Sequence, residues 1–310
     1  MKKDLNIFFI LADSRSGTTF LANNIIKKLN VLIIPETNFV LRLLQKPKHF
    51  FYSKKQLVNF LFEENKFYDL KISKKELQNN LTNIESVRDI ILDIFKIYYS
   101  KNNGKYNLIG IKKGYLYFLD EIMYLFPNAK IFNIIRDCRA VYNSKKSSIY
   151  SRIGKPFSIN PFETAKIWNE KTDIIIRSKK KYNASIFFYE DIIKDLNLII
   201  KKISKIMNLS LRLSSTKKNG YYVSKIYDEK LHSNINLPPK LNNIDKWKKN
   251  LLPYEIFCIE FLAKKNLKKF NYKLKDEKKK FENYFYLCYF FVKYFFIRFS
   301  FIKLFKKMFF

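Results

Sequence analysis

The stretch that decides the fold is NIFFILADSRSGTTFLANNIIKKL, residues 6–29. Its first part, Ile7 to Ala12, is an unbroken apolar run, which is typical of a buried strand in a parallel sheet. Residues 13–17 are a polar loop with one glycine, and the segment from Thr18 to Leu29 has apolar side chains at helical spacing. Strand, glycine loop and helix together make one half of a βαβ unit. The first turn of such a helix points unpaired N–H groups at the loop.

The rest of the chain continues this alternation of strands and helices. Apolar runs predict further strands at 31–35, 107–112, 130–135 and 185–189. Helical periodicity predicts a helical insertion at about 38–100 and helices at 115–125, 140–150, 161–180, 195–207 and 253–264, with a long polar loop at 210–245. We therefore predict an α/β fold, with a P-loop-like central parallel β-sheet, helices on both faces and a basic, aromatic C-terminal helical tail.

The composition limits the classes of function. The 310 residues carry 60 Lys and Arg against 27 Asp and Glu, so the formal net charge is +33. This excess suits nucleic acid, an anionic membrane or a small polyanionic ligand, although a general bias towards Lys, Asn, Ile, Phe and Tyr explains part of it. Cys138, Cys258 and Cys288 form no paired motif, and His49 and His232 are the two histidines. A disulfide scaffold, a cysteine zinc site and a His-rich metal centre are therefore not expected.

The glycine loop differs from the loop of P-loop NTPases. The Walker pattern GxxxxGK[ST] places a lysine after its last glycine, whereas here Arg15 precedes Gly17 and no lysine follows it. Backbone N–H groups of residues 16–19 can still hold a phosphate, with Arg15 as the cation and the hydroxyls of Thr18 and Thr19 as donors. The loop predicts an anion site with no obvious need of a metal. A plain polar turn before a helix is the alternative.

A second basic segment follows the strand at 130–135. Arg136 comes directly after the strand, and Ser144 lies about two turns into the following helix. An arginine at a strand end and a serine on the next helix can hold a second phosphate. The alternative is a surface pair of Arg136 and Asp137 beside a solvated helix face.

Together, the two segments resemble the sulfotransferases that use 3′-phosphoadenosine 5′-phosphosulfate (PAPS), closest to the bacterial and tyrosylprotein-sulfotransferase-like branch. In that family a loop of the form RSGTT binds the 5′-phosphosulfate, and a segment of the form RDxRAVxxS binds the 3′-phosphate. This chain has RSGTT at 15–19 and RDCRAVYNS at 136–144. The resemblance implies that the donor nucleotide contacts Arg15, Ser16, Gly17, Thr18, Thr19, Arg136 and Ser144.

The resemblance extends over roughly residues 5–265. FFYEDIIKDLNLIIKKISKIMNL, 187–209, is similar to a strand and helix of the family, and DKWKKNL, 245–251, is similar to a late Lys-Trp element. These matches imply that Tyr189 and Lys246 lie near the donor. A core aromatic residue and an ordinary surface lysine are the respective alternatives.

The resemblance also implies the catalytic groups. In this branch a glutamate after the first helix acts as the base, and Glu36 in IPETNF, 34–39, takes that position. A base is needed because the acceptor hydroxyl loses its proton as it attacks sulfur. Arg15 and a lysine at a strand end would stabilise the developing charge. The family's KTP-like turn is altered here to Lys112-Lys113-Gly114, so Lys112 is favoured over Lys113 and the choice stays open.

The segment from Phe281 to Phe310 differs from the rest of the chain. It is dense in aromatic residues and interrupted by basic ones, among them Lys293 and Arg298. An anchor at an anionic membrane interface, a helix packed on the domain and a membrane-spanning helix are the three interpretations, and the first fits the charges best. We predict a sulfotransferase domain at 1–275 and a tail at 276–310, in a cytoplasmic protein that the tail places at the membrane periphery.

The expected function is transfer of a sulfuryl group from PAPS to a hydroxyl of a glycan or similar acceptor, without a metal, by an in-line mechanism with Glu36 as base. Three alternatives remain open: a protein-tyrosine sulfotransferase, a P-loop kinase or NTPase, and a non-catalytic basic module for nucleic acid or lipid. The sulfotransferase interpretation involves a nucleotide donor, a hydroxyl acceptor and an anionic membrane surface as partners, and no nucleic acid. The sequence does not predict the oligomeric state.

Overall fold

The structure, a computed structural model, describes residues 6–46, 53–102, 108–112, 115–150, 154–211, 237–275 and 280–309. The chain forms two compact units. The first comprises Met1–Ala12, Gly17–Ile134 and Arg177–Pro238, and the second comprises Asp13–Ser16, Ile135–Ile176 and Pro239–Phe310. Lys113, His49, His232 and most of the loop predicted at 210–245 lie outside the described residues.

Strands and helices alternate along the described chain. The strands are β1 (Asn6–Ala12), β2 (Val31–Ile34), β3 (Leu108–Lys112), β4 (Lys130–Ile135), β5 (Ile149–Tyr150), β6 (Lys155–Pro156) and β7 (Ser185–Phe188). The α-helices are α1 (Thr18–Lys28), α2 (Phe39–Leu44), α3 (Lys54–Phe62), α4 (Lys74–Asn80), α5 (Val87–Lys101), α6 (Leu119–Leu125), α7 (Cys138–Ser147), α8 (Pro161–Tyr182), α9 (Tyr189–Lys194), α10 (Leu196–Met207), α11 (Asn242–Asp245), α12 (Trp247–Asn250), α13 (Pro253–Lys269) and α14 (Phe281–Phe309). Two 3-10 helices occupy Asn65–Leu70 and Tyr115–Phe118.

A five-stranded sheet, in the order β2-β3-β1-β4-β7, is the centre of the described first unit. β1 runs parallel to β3 and to β4, and β2 runs parallel to β3. The predicted α/β fold with a central parallel sheet flanked by helices is therefore confirmed. Parallel strands bring their carboxyl ends to one edge of the sheet, where α/β proteins place their ligands.

The central strand β1 explains why its sequence is continuously apolar. Its side chains from Phe8 to Leu11 are fully buried, as expected for a strand with both faces covered. Phe8 pairs in register with Gly110 of β3, and its ring lies across that glycine. A Cβ at position 110 would lie 2.2 Å from the Phe8 ring. Gly110 therefore makes room for the large side chain on the neighbouring strand.

Element boundaries differ from the predictions at several places. Ile149–Tyr150 form β5 instead of the end of the helix predicted at 140–150, and α13 continues to Lys269. The strand predicted at 185–189 ends at Phe188, and Tyr189 begins α9. The helix predicted at 115–125 divides into the second 3-10 helix and α6. The helix predicted at 140–150 begins at Cys138, because the Asp137 side chain accepts the N–H of Arg139 and caps α7 two residues earlier.

In its described residues, the insertion predicted at about 38–100 is helical, and buried phenylalanines pack together within it. Phe39 of α2 meets Phe67 and Phe95 edge to face, with ring centroids 5.7 and 6.1 Å apart. Serine side chains cap the helices α3, α4 and α5, and in α4 the residues Ser73 and Glu76 form a reciprocal capping box.

In the second unit, α14 packs against α13. Leu287 and Phe290 are buried with Phe257 and Cys258, and the rings of Tyr254 and Tyr286 stack with centroids 4.1 Å apart. One face of the first part of α14 is therefore packed against α13. Within the part of the chain that the structure describes, no helix is both long enough and apolar enough to cross a membrane.

Candidate active site

The loop between β1 and α1 takes a conformation that few residues adopt. Arg15 has φ 69° and Gly17 has φ 90°, both in the left-handed region. A non-glycine residue there is strained, and such strain is often found at ligand sites. Gly17 is the residue before α1, so its missing side chain leaves the helix start without a side-chain cap. No acidic residue lies in the first turn of α1, so its N–H groups and positive dipole end suit an anion.

Tyr189 lies directly against Gly17 in the first unit. A Cβ at position 17 would be 2.6 Å from Cδ2 of the tyrosine ring. Tyr189 is buried at the start of α9. Position 17 therefore requires glycine for two reasons. Its φ is positive, and the Tyr189 ring occupies the space that a side chain would need.

In the second unit, Arg15, Arg136 and Ser144 come together. The Nε of Arg15 donates to the Oγ of Ser144 at 3.1 Å, and Nη1 of Arg136 donates to the carbonyl oxygen of Arg15 at 2.8 Å. Arg136 follows β4, and its own carbonyl accepts the indole N–H of Trp168 at 3.0 Å. The two basic segments predicted to bind phosphate thus share one cluster of hydrogen bonds.

The Lys-Trp element predicted near the donor also contacts this cluster. Nη2 of Arg136 donates to the carbonyl of Asn243, on α11, at 3.3 Å. Trp247 is buried, and the guanidinium of Arg139 lies 4.0 Å from its ring centroid. Lys246, between α11 and α12, is exposed. The structure thus fixes the backbone beside Lys246 and leaves its side chain in solvent.

The sequence reasoning missed the ionic group that holds the start of the loop. The Asp13 carboxylate lies 2.7 Å from Nζ of Lys145 and 2.6 Å from Nζ of Lys171. Burial alone would raise the pKa of Asp13, but the two ammonium groups outweigh burial and hold that pKa below its ordinary value. Asp13 also accepts the N–H of Ser14 at 2.9 Å. The first residues of the loop are therefore fixed by charge.

Glu36 is half-buried just after β2 in the first unit. The residues that follow it are held from two sides: the hydroxyl of Tyr115 donates to the carbonyl of Thr37 at 3.2 Å, and the N–H of Asn38 donates to Glu64 at 2.6 Å. Burial, with the negative charges of Glu64 and Glu36, raises the pKa of Tyr115 well above its ordinary value. Tyr115 and Glu64 were not singled out from sequence, because neither lies in a recognised motif.

Lys112 is the last residue of β3, and its side chain is not among those described. The register pairs Ile34 with Ile111, so Glu36, just after β2, and Lys112, at the end of β3, lie at the same carboxyl edge of the sheet. Thus the backbone brings Glu36 and Lys112 to one edge. Their catalytic roles remain predictions.

In the described chain, no group of three or more His, Cys, Asp or Glu residues could hold a metal ion. Cys138 and Cys258 are buried and Cys288 is exposed, and each is a free thiol. Burial raises the pKa of Cys138 well above its ordinary value and that of Cys258 to about 12, so both thiols stay protonated.

Comparison with known proteins gives the family of the chain and supports its fold. The Sulfotransferase family model matches residues 8–212. The chain gives no match among curated proteins. Two solved structures share its fold at 17% identity. The sulfotransferase domain from the curacin biosynthetic pathway has a TM-score of 0.62, over 87% of this chain and 99% of that one. The sulfotransferase domain of the Synechococcus PCC 7002 olefin synthase has a TM-score of 0.60, over 88% and 97%. Since the family match covers well over half of its length, the chain belongs to the sulfotransferase family.

Proposed function

We propose that the protein transfers the sulfuryl group of PAPS to a hydroxyl of a glycan or similar acceptor. The observation that carries the proposal is the cluster of Arg15, Arg136 and Ser144, whose hydrogen bonds join positions 121 and 129 residues apart. Two guanidinium groups at one loop, followed by an uncapped helix start, fit a ligand with a phosphosulfate and a second phosphate.

In this proposal the chain's own groups hold the donor at both ends. The N–H groups of residues 16–19 and the hydroxyls of Thr18 and Thr19 bind the phosphosulfate, and Arg136 with Ser144 binds the 3′-phosphate. Tyr189 and Lys246 contact the rest of the nucleotide. Asp13, through Lys145 and Lys171, keeps the loop in place before the ligand arrives, so less ordering is needed on binding.

PAPS supplies an activated sulfuryl group, and its bridging oxygen leaves with the adenosine bisphosphate. The acceptor oxygen forms the new S–O bond as the bridging S–O bond breaks, and the carboxylate of Glu36 takes the acceptor proton. Arg15 and Lys112 stabilise the negative charge that grows on the leaving oxygen. The hydrogen bonds of Thr37 and Asn38 support this role, since they fix the segment directly after Glu36.

Calorimetric titration with 3′,5′-adenosine bisphosphate, without magnesium, tests the donor site. We expect binding in the micromolar range, and its loss in the Arg15→Ala/Arg136→Ala double variant. Arg177→Ala is the matched control, because Arg177 is an exposed arginine on α8 outside the cluster. No binding, or a preference for ATP with magnesium, would overturn the proposal in favour of a P-loop kinase or a non-catalytic basic module.

Radiolabelled PAPS with a panel of glycans and tyrosine peptides then tests the chemistry. We expect a glycan to be labelled, and Glu36→Gln to lower turnover by about 10²–10⁴-fold, the usual contribution of a positioned base. The bisphosphate affinity should not change. Labelling of peptides alone would replace the glycan by a tyrosine acceptor, and full activity of Glu36→Gln would remove Glu36 as the base.

A further inference from the structure

A row of apolar side chains lies exposed along α14. We call Phe281, Phe285, Tyr289, Val292 and Phe296 the apolar stripe, and their exposed fractions are 89, 65, 49, 46 and 70%. Successive members are three or four positions apart, so the stripe lies on one face of the helix. Single exposed apolar residues are ordinary, but a contiguous stripe of this kind marks an interaction surface.

The opposite face of the same helix is already covered. Leu287 and Phe290 are buried against α13, and the backbone carbonyl of Phe290 accepts a hydrogen bond from Nδ2 of Asn160 at 3.0 Å. Packing against α13 therefore fixes how α14 is turned. It presents the apolar stripe to the surroundings, and does not bury it in the second unit.

The charges of α14 indicate what covers the stripe. Glu282 is its acidic residue, whereas its basic residues are Lys293, Arg298, Lys303, Lys306 and Lys307. Nζ of Lys293 lies 5.7 Å from the ring centroid of Tyr289, so a cation sits beside the stripe itself. Phenylalanine and tyrosine side chains next to lysines suit the boundary between acyl chains and anionic headgroups.

A second copy of the chain fits the stripe less well. Each copy carries a formal net charge of +33, and two such copies would place like charges on both sides of the contact. An anionic bilayer offers the opposite charge and an apolar layer at the same surface. We propose that α14 binds the surface of an anionic membrane through the apolar stripe, lying in the interface without spanning it.

Vesicle flotation with the full chain tests this proposal. The probes are vesicles of phosphatidylcholine and phosphatidylserine in a 7:3 ratio, beside vesicles of pure phosphatidylcholine. We expect binding to the anionic vesicles, weaker binding in high salt, and a loss of at least about tenfold in Phe285→Ser/Phe296→Ser, because two large apolar side chains no longer enter the interface. Tyr117→Ser/Tyr124→Ser is the control, since both tyrosines are exposed outside α14.

Three outcomes would overturn the proposal. The first is equal binding by the stripe variant and the wild type, which would leave the basic surface alone as the cause. The second is no binding to either kind of vesicle. The third is a wild-type dimer that the stripe variant dissociates in sedimentation, which would make the stripe a contact between copies. If the double variant does not fold by circular dichroism, Phe296→Ser alone gives the same comparison with Tyr124→Ser.

Discussion

Removing a lysine from the Asp13 group perturbs the loop without touching a residue assigned to the donor. Lys145→Met keeps the length of the side chain and deletes the ammonium that lies 2.7 Å from Asp13. The two side chains are 7 and 4% exposed, so the pair is truly buried. Breaking a buried pair costs about 3–5 kcal/mol. Because Lys171 still neutralises Asp13, we expect the lower end, a loss of about 3 kcal/mol in the free energy of unfolding.

The double variant Lys145→Met/Lys171→Met gives a sharper test, through the sign of a pH dependence. In the wild type the folded pKa of Asp13 is lowered, so its contribution to stability is present above the unfolded pKa and is lost as the pH falls through the folded pKa. Without both lysines burial is the largest influence left on the Asp13 pKa, and burial raises the folded pKa. The folded double variant then holds a proton that the unfolded chain releases. Its stability relative to the wild type should fall by about 1.4 kcal/mol per pH unit above pH 4.

Urea unfolding followed by tryptophan fluorescence measures this effect. Trp168 and Trp247 are both buried in the second unit, which also contains Asp13 and the two lysines, so the signal reports the right part of the molecule. Lys180→Met is the matched control, an exposed lysine on the same helix as Lys171. If the double variant and the wild type showed the same pH dependence from pH 4 to 7, the assignment of Asp13 as a buried, doubly paired carboxylate would be refuted.

Two further predictions concern the donor loop and the segment after Glu36. Gly17→Ala should weaken bisphosphate binding in calorimetry by about tenfold or more, since a Cβ there meets the Tyr189 ring at 2.6 Å. Gly154→Ala has a similar positive φ but no atom within 4 Å, and should bind normally. Glu64→Gln should lower sulfuryl turnover about tenfold at unchanged bisphosphate affinity, because it weakens the hold on Asn38. Glu63→Gln, at an exposed neighbour, should leave both unchanged.

Much of the sheet could be predicted because a buried parallel strand has a simple sequence pattern, a continuous apolar run. Ile7 to Ala12 is apolar without interruption, and the structure buries that run in the centre of the sheet. The ends were less predictable. Tyr189 continues the apolar run of β7 in sequence, yet it begins a helix and packs against Gly17. Contact with a residue more than 170 positions away, not local propensity, decides where that ring lies.

Some residues of the candidate site could likewise be predicted from the sequence, and others could not. Arg15, Arg136 and Ser144 could be selected from sequence because each lies in a motif, and the structure brings them together. Asp13, Lys145 and Lys171 could not, since they join positions 132 and 158 residues apart and one lysine among sixty basic residues carries no signal of its own. Their ion pairs can be identified only from the structure, in which these side chains are brought together and mostly buried.

Within the proposed mechanism, the motif residues bind the donor and the buried ionic group holds the loop. A ligand with two charged phosphate groups must meet cations, but cations that are free to repel one another would open the loop. In the second unit, the ion pairs of Asp13 with Lys145 and Lys171 fix the start of the loop, and the Arg15 carbonyl accepts a hydrogen bond from Arg136. The loop is therefore ordered by contacts that do not consume the N–H groups at the start of α1. In the proposed mechanism the N–H groups at the start of α1 bind the donor, and the strained backbone at Arg15 belongs to the same loop.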